Sequence, residues 1–181
     1  MENNKNQEIV KNVFTKYLEE KTHQKNTISL HELTAVLQKN SKQKEITNHA
    51  LLEICNKVEA GQAALYLKKE VDGNRVLQMT STYALPMNET EATVFNFGEG
   101  LVGQSASMKK SMYIDDIPEG YVKIVSGLGS ASPQFLSLVP LLQGEEILGV
   151  IEVASFKNFT KEEREFIEKA GQLIADKLSK I

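Results

Sequence analysis

Cysteine is almost absent from this chain: Cys55 stands alone among 181 residues. An internal disulfide and any multi-cysteine metal cluster are thereby excluded. Histidine is nearly as scarce. His23, His31 and His49 all fall within the first 49 residues, and no two are spaced i, i+4. A closed zinc site usually needs four such ligands, so no metal site is expected. Long apolar runs are missing as well. The longest, residues 138–142 and 147–151, fall far short of the roughly 20 residues a spanning helix needs. Residues 1–7 carry no apolar stretch and do not read as a signal peptide. A cytoplasmic location is expected, and Met1 reads as a natural start. Charge of one sign is also lacking: 21 basic residues face 24 acidic ones. That balance leaves no electrostatic footprint for nucleic acid or an anionic membrane.

What is present is ordinary globular material, with 41% hydrophobic and 25% charged residues. The length fits one domain with an appendage. Such a chain can bury roughly 70% of the surface its unfolded form exposes, without a staple. Residues 1–40 differ in pattern from the rest. Ile9, Val13, Phe14, Tyr17 and Leu18 predict an amphipathic helix over 7–20. After a polar break, Ser29 and Glu32 form a capping-box pattern ahead of a helix bearing Leu30, Leu33 and Leu37. Residues 40–45 read as a hinge or as an exposed turn of continuing helix. Ile46, Ala50, Leu51, Ile54, Cys55 and Val58 then define a helix that Gly61 is expected to end.

Beyond it the period changes. Residues 63–67 and 76–83 read as strands joined by a turn at 71–74, where Gly73 can take positive φ. Residues 93–97 are extended, 101–109 suit a short helix, and 112–114 a short strand. Residues 115–133 form a long Gly-, Pro- and Ser-containing loop with one helical turn expected at 121–125. Loops of that length often carry function. Strands follow at 135–142 and 146–155. Thr160 and Glu163 cap a closing helix whose buried face is Phe166, Ile167, Ala170, Leu173, Ile174 and Leu178. This order implies an α+β fold, a mainly antiparallel sheet with helices on one face.

Residues 97–104 (Phe-Gly-Glu-Gly-Leu-Val-Gly-Gln), 112–118 (Met-Tyr-Ile-Asp-Asp-Ile-Pro), 138–141 (Leu-Val-Pro-Leu) and 144–153 (Gly-Glu-Glu-Ile-Leu-Gly-Val-Ile-Glu-Val), followed by Phe159 and the closing helix, resemble a GAF domain. The likeness covers residues 41–181, in the right order and spacing, with residues 1–40 as an N-terminal helical extension. It is most like the GAF domains set ahead of output modules in bacterial sensor proteins. The resemblance implies a profilin-like central antiparallel sheet of five to six strands. N- and C-terminal helices would cover one face, and loops with short helices the other. It also implies a sensory or regulatory role without catalysis: a small molecule or partner binds, and the terminal helices pass on the change. A homodimer through those helices is expected, with a signalling output domain or kinase as a further partner. The alternatives are a filled GAF scaffold used for dimerisation and a cysteine-independent enzyme on the same fold.

The ligand pocket implied by the resemblance draws on Phe97, Tyr113, Tyr121, Ser126, Gly127, Gly129, Ser130, Ser132, Phe135 and Glu152. The small hydroxyl residues and free N–H groups of 124–133 can hold a carboxylate, a phosphate or a purine edge. The competing reading is a loop packed over a filled core. Glu152 alternates with Val150 and Ala154 on one strand face. That face is either solvated or the pocket side, in which case the carboxylate needs a partner. Pro140 marks a sheet edge or irregularity, and Gly149 a close backbone approach or a bend.

No cofactor is expected. Free methionine sulfoxide reductases use cysteines in the pocket half of the fold, and phytochromes attach bilin through one; residues 61–181 contain none. Asn158, Phe159 and Glu163 give only a partial, compressed version of the cyclic-nucleotide signature, so that ligand stays open but unsupported. Gly98, Gly100 and Gly103 spell a dinucleotide fingerprint, yet no βαβ alternation surrounds them, and they read as turn glycines. Residues 29–34 lack the basic residue and proline of a histidine-kinase phosphoacceptor box, so His31 reads as a solvent-facing helical residue.

Overall fold

The computed structural model describes residues 29–85, 93–118, 120–126 and 129–181. The helix predicted over 7–20 lies outside them. Four helices occur among the described residues: α1 (His31–Lys39), α2 (Gln43–Val58), α3 (Gly100–Met108) and α4 (Lys161–Leu178). The strands are β1 (Gln62–Val71), β2 (Asn74–Tyr83), β3 (Val94–Asn96), β4 (Met112–Ile114), β5 (Ile124–Ser126), β6 (Gly129–Ala131), β7 (Phe135–Gln143) and β8 (Glu146–Ser155). Six of them form one sheet in the order β3-β2-β1-β8-β7-β4, and every adjacent pair is antiparallel. The two hairpins β1–β2 and β7–β8 therefore meet edge to edge through β1 and β8, as the α+β reading requires.

Strand alternation divides the core in two. Leu65, Leu67, Val139, Leu141, Ile151 and Val153 point to one face, where α1, α2 and α4 bury Leu33, Leu37, Ile46, Ile54, Phe166, Ile167 and Ile174. Ala64, Tyr66, Leu77, Leu136, Leu138 and Val150 point to the other, beneath Val102 and Ala106 of α3. Cys55 sits in the first layer, and burial pushes its thiol up to about 12. Thr47 of α2 accepts a buried hydrogen bond from the Ser81 hydroxyl at 2.7 Å, a polar tie between helix and sheet. β2 carries an extra residue at Thr80, because Leu65 pairs with Ser81 whereas Tyr66 pairs with Met79. The bulge reverses its alternation, so Met79 faces the α3 layer and Ser81 the α2 layer.

Local expectations met the structure unevenly. Thr160 and Glu163 form a reciprocal capping box on α4. Ser29 and Glu32 do not. α1 starts one residue later than the pattern implies, with Leu30 as its N-cap and no side-chain cap. The Ser29 hydroxyl instead accepts from the His31 N–H, and Glu32 pairs with Lys57 of α2. α2 ends at Glu59, a left-handed residue at φ 50°, rather than at Gly61, whose N–H donates to the Ala154 carbonyl. The turn at Asp72 and Gly73 has both residues at positive φ, the pairing that suits a two-residue hairpin. Residues 121–125 form no helical turn. Tyr121 N–H closes a tight turn onto the Pro118 carbonyl, and Ile124–Ser126 pairs with Gly129–Ala131 as a small separate ribbon. The β-branched Ile124 and Val125 favour that extended state.

Gly149 is the close approach its place in β8 suggested: a Cβ there would lie 2.1 Å from the Tyr66 carbonyl oxygen. Pro140 sits where β7 is an edge, since β4 covers only Leu136–Leu138. No helix among the described residues is long and apolar enough to cross a membrane.

Candidate functional site

A cavity of about 440 Å³ opens on the sheet face opposite α1, α2 and α4. Its floor consists of two adjacent rows across the strands. Gln62 of β1, Ala154 of β8 and Leu136 of β7 make one row; Ala64 and Glu152 make the next. Ala64 and Ala154 end at Cβ, and this is why the floor is hollow there. Phe95 of β3 and Leu85 form one wall, and Tyr121, Val122 and Lys123 from the β4–β5 connection form the other. The Tyr66 and Phe95 rings meet edge to face at 5.6 Å, which fixes the inner wall. Gln62 donates to the Ala84 carbonyl at 3.0 Å and ties the chain leaving β2 to the rim.

The polar centre of the cavity is Glu152. Tyr121 donates its hydroxyl to Oε1 at 2.8 Å, and Tyr66 donates to Oε2 at 3.0 Å. Burial drives the Glu152 carboxyl above the usual carboxylate range, and the two phenol hydrogen bonds draw it only partly back. Both phenols are themselves pushed upward, first by burial and then by the negative charge of Glu152 beside them. They therefore remain protonated donors at neutral pH.

Of the residues singled out in the sequence, Tyr121 and Glu152 line this cavity. Phe97 packs on the α3-side core under the Arg75 guanidinium, whose carbon lies 5.7 Å from the ring centre. Tyr113 joins β4 to α4: its hydroxyl lies within hydrogen-bond range of the Arg164 carbonyl and the Glu168 carboxylate, and the Arg164 guanidinium covers its ring at 4.8 Å. Phe135 packs against the core on the helix side. Ser126 lies in β5 with Gly129 and Ser130 in its partner β6; Ser130 and Ser132 are exposed. Gly129, Ser130 and Ser132 do not line the cavity, and Gly127 lies outside the described residues. Among the described residues of this stretch, the chain reaches the site through residues 121–123.

Tyr66, Gln62, Ala64, Phe95 and Ala154 escaped the sequence reading. Tyr66 and Ala64 share a strand face by simple alternation. That they stand beside Glu152 depends on β1 pairing with β8, a contact across more than 80 residues that no local pattern encodes.

The glycine-rich segment ahead of α3 uses its donors internally. Gly98 N–H donates to the Gly103 carbonyl, Gly103 N–H to Glu99, and Glu99 N–H to Asn96. The Glu99 carboxylate accepts from both the backbone and the side chain of Asn96, which hold it below its usual range. A Cβ on Gly103 would meet the Asn96 carbonyl oxygen at 2.2 Å, so glycine is required for packing. With β3 antiparallel to β2 and no βαβ unit among the described residues, the fingerprint carries no dinucleotide geometry. Among the described residues no three His, Cys, Asp or Glu side chains converge as a metal site would need.

The family model of the GAF domain matches residues 41–179. The chain belongs to the GAF domain family. Solved structures agree on the fold. The GAF domain of a phosphoenolpyruvate-protein phosphotransferase from Coxiella burnetii superposes with a TM-score of 0.68 at 20% identity, covering 83% of this chain and 90% of that one. A free methionine-R-sulfoxide reductase from Neisseria meningitidis, solved with its substrate, gives 0.65 at 15% identity, covering 83% and 86%. A putative GAF sensor protein from Burkholderia vietnamiensis gives 0.62 at 16%, covering 81% and 88%. At these identities the likeness speaks to fold alone. No curated protein matches the chain.

Proposed function

We propose that this GAF domain is a non-catalytic sensory module of bacterial signal transduction, working in the cytoplasm. A small molecule occupies the Glu152 cavity, and the terminal helices report its presence. The observation that carries this reading is a hollow, largely apolar cavity with one hydrogen-bonded carboxylate at its centre, the usual make-up of a small-ligand site. Its volume falls within the roughly 300–1,000 Å³ typical of such sites. β8 supports the signalling half of the proposal: Glu152 faces the cavity, while its neighbours Ile151 and Val153 are packed under the helices. A ligand that favours one setting of β8 would favour the helix arrangement fitting that setting.

A reductase role is disfavoured by the thiol inventory. Cys55, the one cysteine, lies in the layer away from the cavity with its thiol pushed up to about 12, far from a reactive thiolate. A second reading, a helix-mediated homodimer with or without ligand, draws on Leu52 of α2, 43% exposed, and Ile181, 59% exposed.

Native mass spectrometry and thermal melting with a panel of metabolites test the main proposal. A ligand at about a hundred times its Kd adds roughly 2.7 kcal/mol, or about 5–10 °C in a domain of this size. Ala154→Phe, which fills the floor, is expected to abolish that shift. No stabilisation by any compound, together with concentration-dependent dimers, would replace the sensor with the scaffold.

A further inference from the structure

The cavity carries information about the charge of its occupant, and this inference rests on the sensor reading above. Glu152 brings a carboxylate into a space lined chiefly by Ala64, Phe95, Leu136 and Ala154. Each of its oxygens accepts one phenol hydrogen bond, which leaves acceptor capacity on both. Among the described residues no lysine or arginine forms an ion pair with it. Lys123 is the one cation among the described lining residues, and its side chain is at the exposed rim. Among the described residues, the titratable groups facing the carboxylate are thus Tyr66 from β1, Tyr121 from the wall and Lys123 at the mouth.

An unpaired carboxylate in an apolar recess is costly, and a bound cation removes that cost. An anionic occupant meets the opposite situation. It would set its charge against Glu152, with no arginine and no buried lysine among the described lining residues to hold it. Phosphate-bearing ligands are disfavoured on that ground. The two phenols donate their hydrogens to Glu152 and keep oxygen lone pairs of their own that can accept from a bound cation. They can hold the Glu152 oxygens in place so that their remaining lone pairs point into the cavity.

We propose that the ligand is a small organic cation, an ammonium or amidinium compound with a compact apolar body, whose N–H groups bond Glu152 while the apolar part lies against Phe95, Leu136 and Ala154. Desolvation of Glu152 fits this proposal, since a cation at hydrogen-bond distance would return the carboxyl to its ionised form.

Matched probes of equal shape and different charge provide the test. Benzamidine, benzamide and benzoate are titrated into the protein at millimolar concentrations, followed by calorimetry and by the amide resonances of residues 62–66 and 152–154. Phenethylamine and 2-phenylethanol serve as a second pair. The cations are expected to bind at least tenfold more tightly than their neutral partners, with benzoate weakest. Glu152→Gln is expected to remove the preference while leaving weak binding of the neutral probes, and Ala154→Phe to remove all binding. In the wild type, benzamidine affinity should rise with pH as Glu152 loses its proton, and Glu152→Gln should show no such rise. Preferential binding of benzamide or benzoate, sensitive to Ala154→Phe, would overturn the cation assignment while leaving the cavity as a ligand site. Absence of binding by every probe, or binding indifferent to Ala154→Phe, would overturn the cation assignment; the sensor reading falls with it only if the metabolite panel also gives no stabilisation.

Discussion

Replacing Gly149 with alanine tests whether the sheet is assembled as described, and the size of the effect follows from one distance. The added Cβ would lie 2.1 Å from the Tyr66 carbonyl oxygen and 3.1 Å from Cδ2 of Leu67. The first contact is with backbone in a hydrogen-bonded ladder, so no side-chain rotation relieves it. β1 and β8 would have to separate locally by roughly an ångström, at the pairing of Leu67 with Gly149. Overpacking costs about 1–3 kcal/mol, and a backbone partner places this change at the upper end. A loss of about 3 kcal/mol corresponds to a fall of about 6–12 °C in a domain of this length. Urea unfolding followed by circular dichroism measures the midpoint and slope together, and the midpoint should fall with the slope unchanged. Gly171→Ala supplies the contrast. Its nearest contact is the Val139 Cγ1 methyl at 3.0 Å, and it lies inside α4, where alanine gains up to about 1 kcal/mol in helix propensity. It should stay within about 1 kcal/mol of wild type. If Gly149→Ala were as mild as Gly171→Ala, the pairing of the two hairpins at this point would be wrong.

Other expectations are as direct. Glu152 binds its proton more tightly folded than unfolded, so its contribution to stability falls as pH rises from the unfolded carboxylate pKa toward the raised folded one. Glu152→Gln should therefore melt higher than wild type near neutral pH, with the advantage shrinking below pH ~4.5 in a melting series; a lower melting point at neutral pH would contradict the desolvation. Thr47→Val strands the buried Ser81 hydroxyl and should cost about 1–3 kcal/mol in urea unfolding, part of it recovered on adding Ser81→Ala. Leu33→Ala should cost about 2–5 kcal/mol, because Leu33 is only 1% exposed within the core shared with α2 and α4, although it precedes the family match at residue 41.

The sequence made the strand hairpins, both C-terminal elements and the short β4 visible because each is written in local terms. The Asp72–Gly73 turn, the 3.6-residue stripe of α4 and the Thr160–Glu163 box all lie within a few residues of their partners. Glu152 was visible as a carboxylate on an apolar strand face, but its surroundings were not. Whether that face met solvent or a cavity depended on the β1–β8 register, which brings Ala64 beside Glu152 and Ala154 beside Gln62. The site is also partly made of what is missing: two alanines that leave space, a kind of signal that resembles ordinary strand composition. The 124–133 segment is rich in small polar residues, whereas the described part of the wall comes from Tyr121 and the two residues after it. Ser29 misled for a simpler reason. A capping pattern fixes a helix start only to within a residue, and one residue of delay leaves the serine outside the N-cap position.

The extra residue at Thr80 has a bearing on how this chain tolerates length changes. Toward the hairpin tip from Thr80, β2 is ruled by one parity; toward Tyr83 it is ruled by the other. Insertions at Asp72–Gly73 would merely lengthen an exposed turn, whereas loss of Thr80 would rotate Ser81 and Tyr83 out of their layer or drag Leu77 and Met79 out of theirs. Gene shuffling or loop grafting on this scaffold thus has a natural seam at the β1–β2 tip and a forbidden one eight residues later.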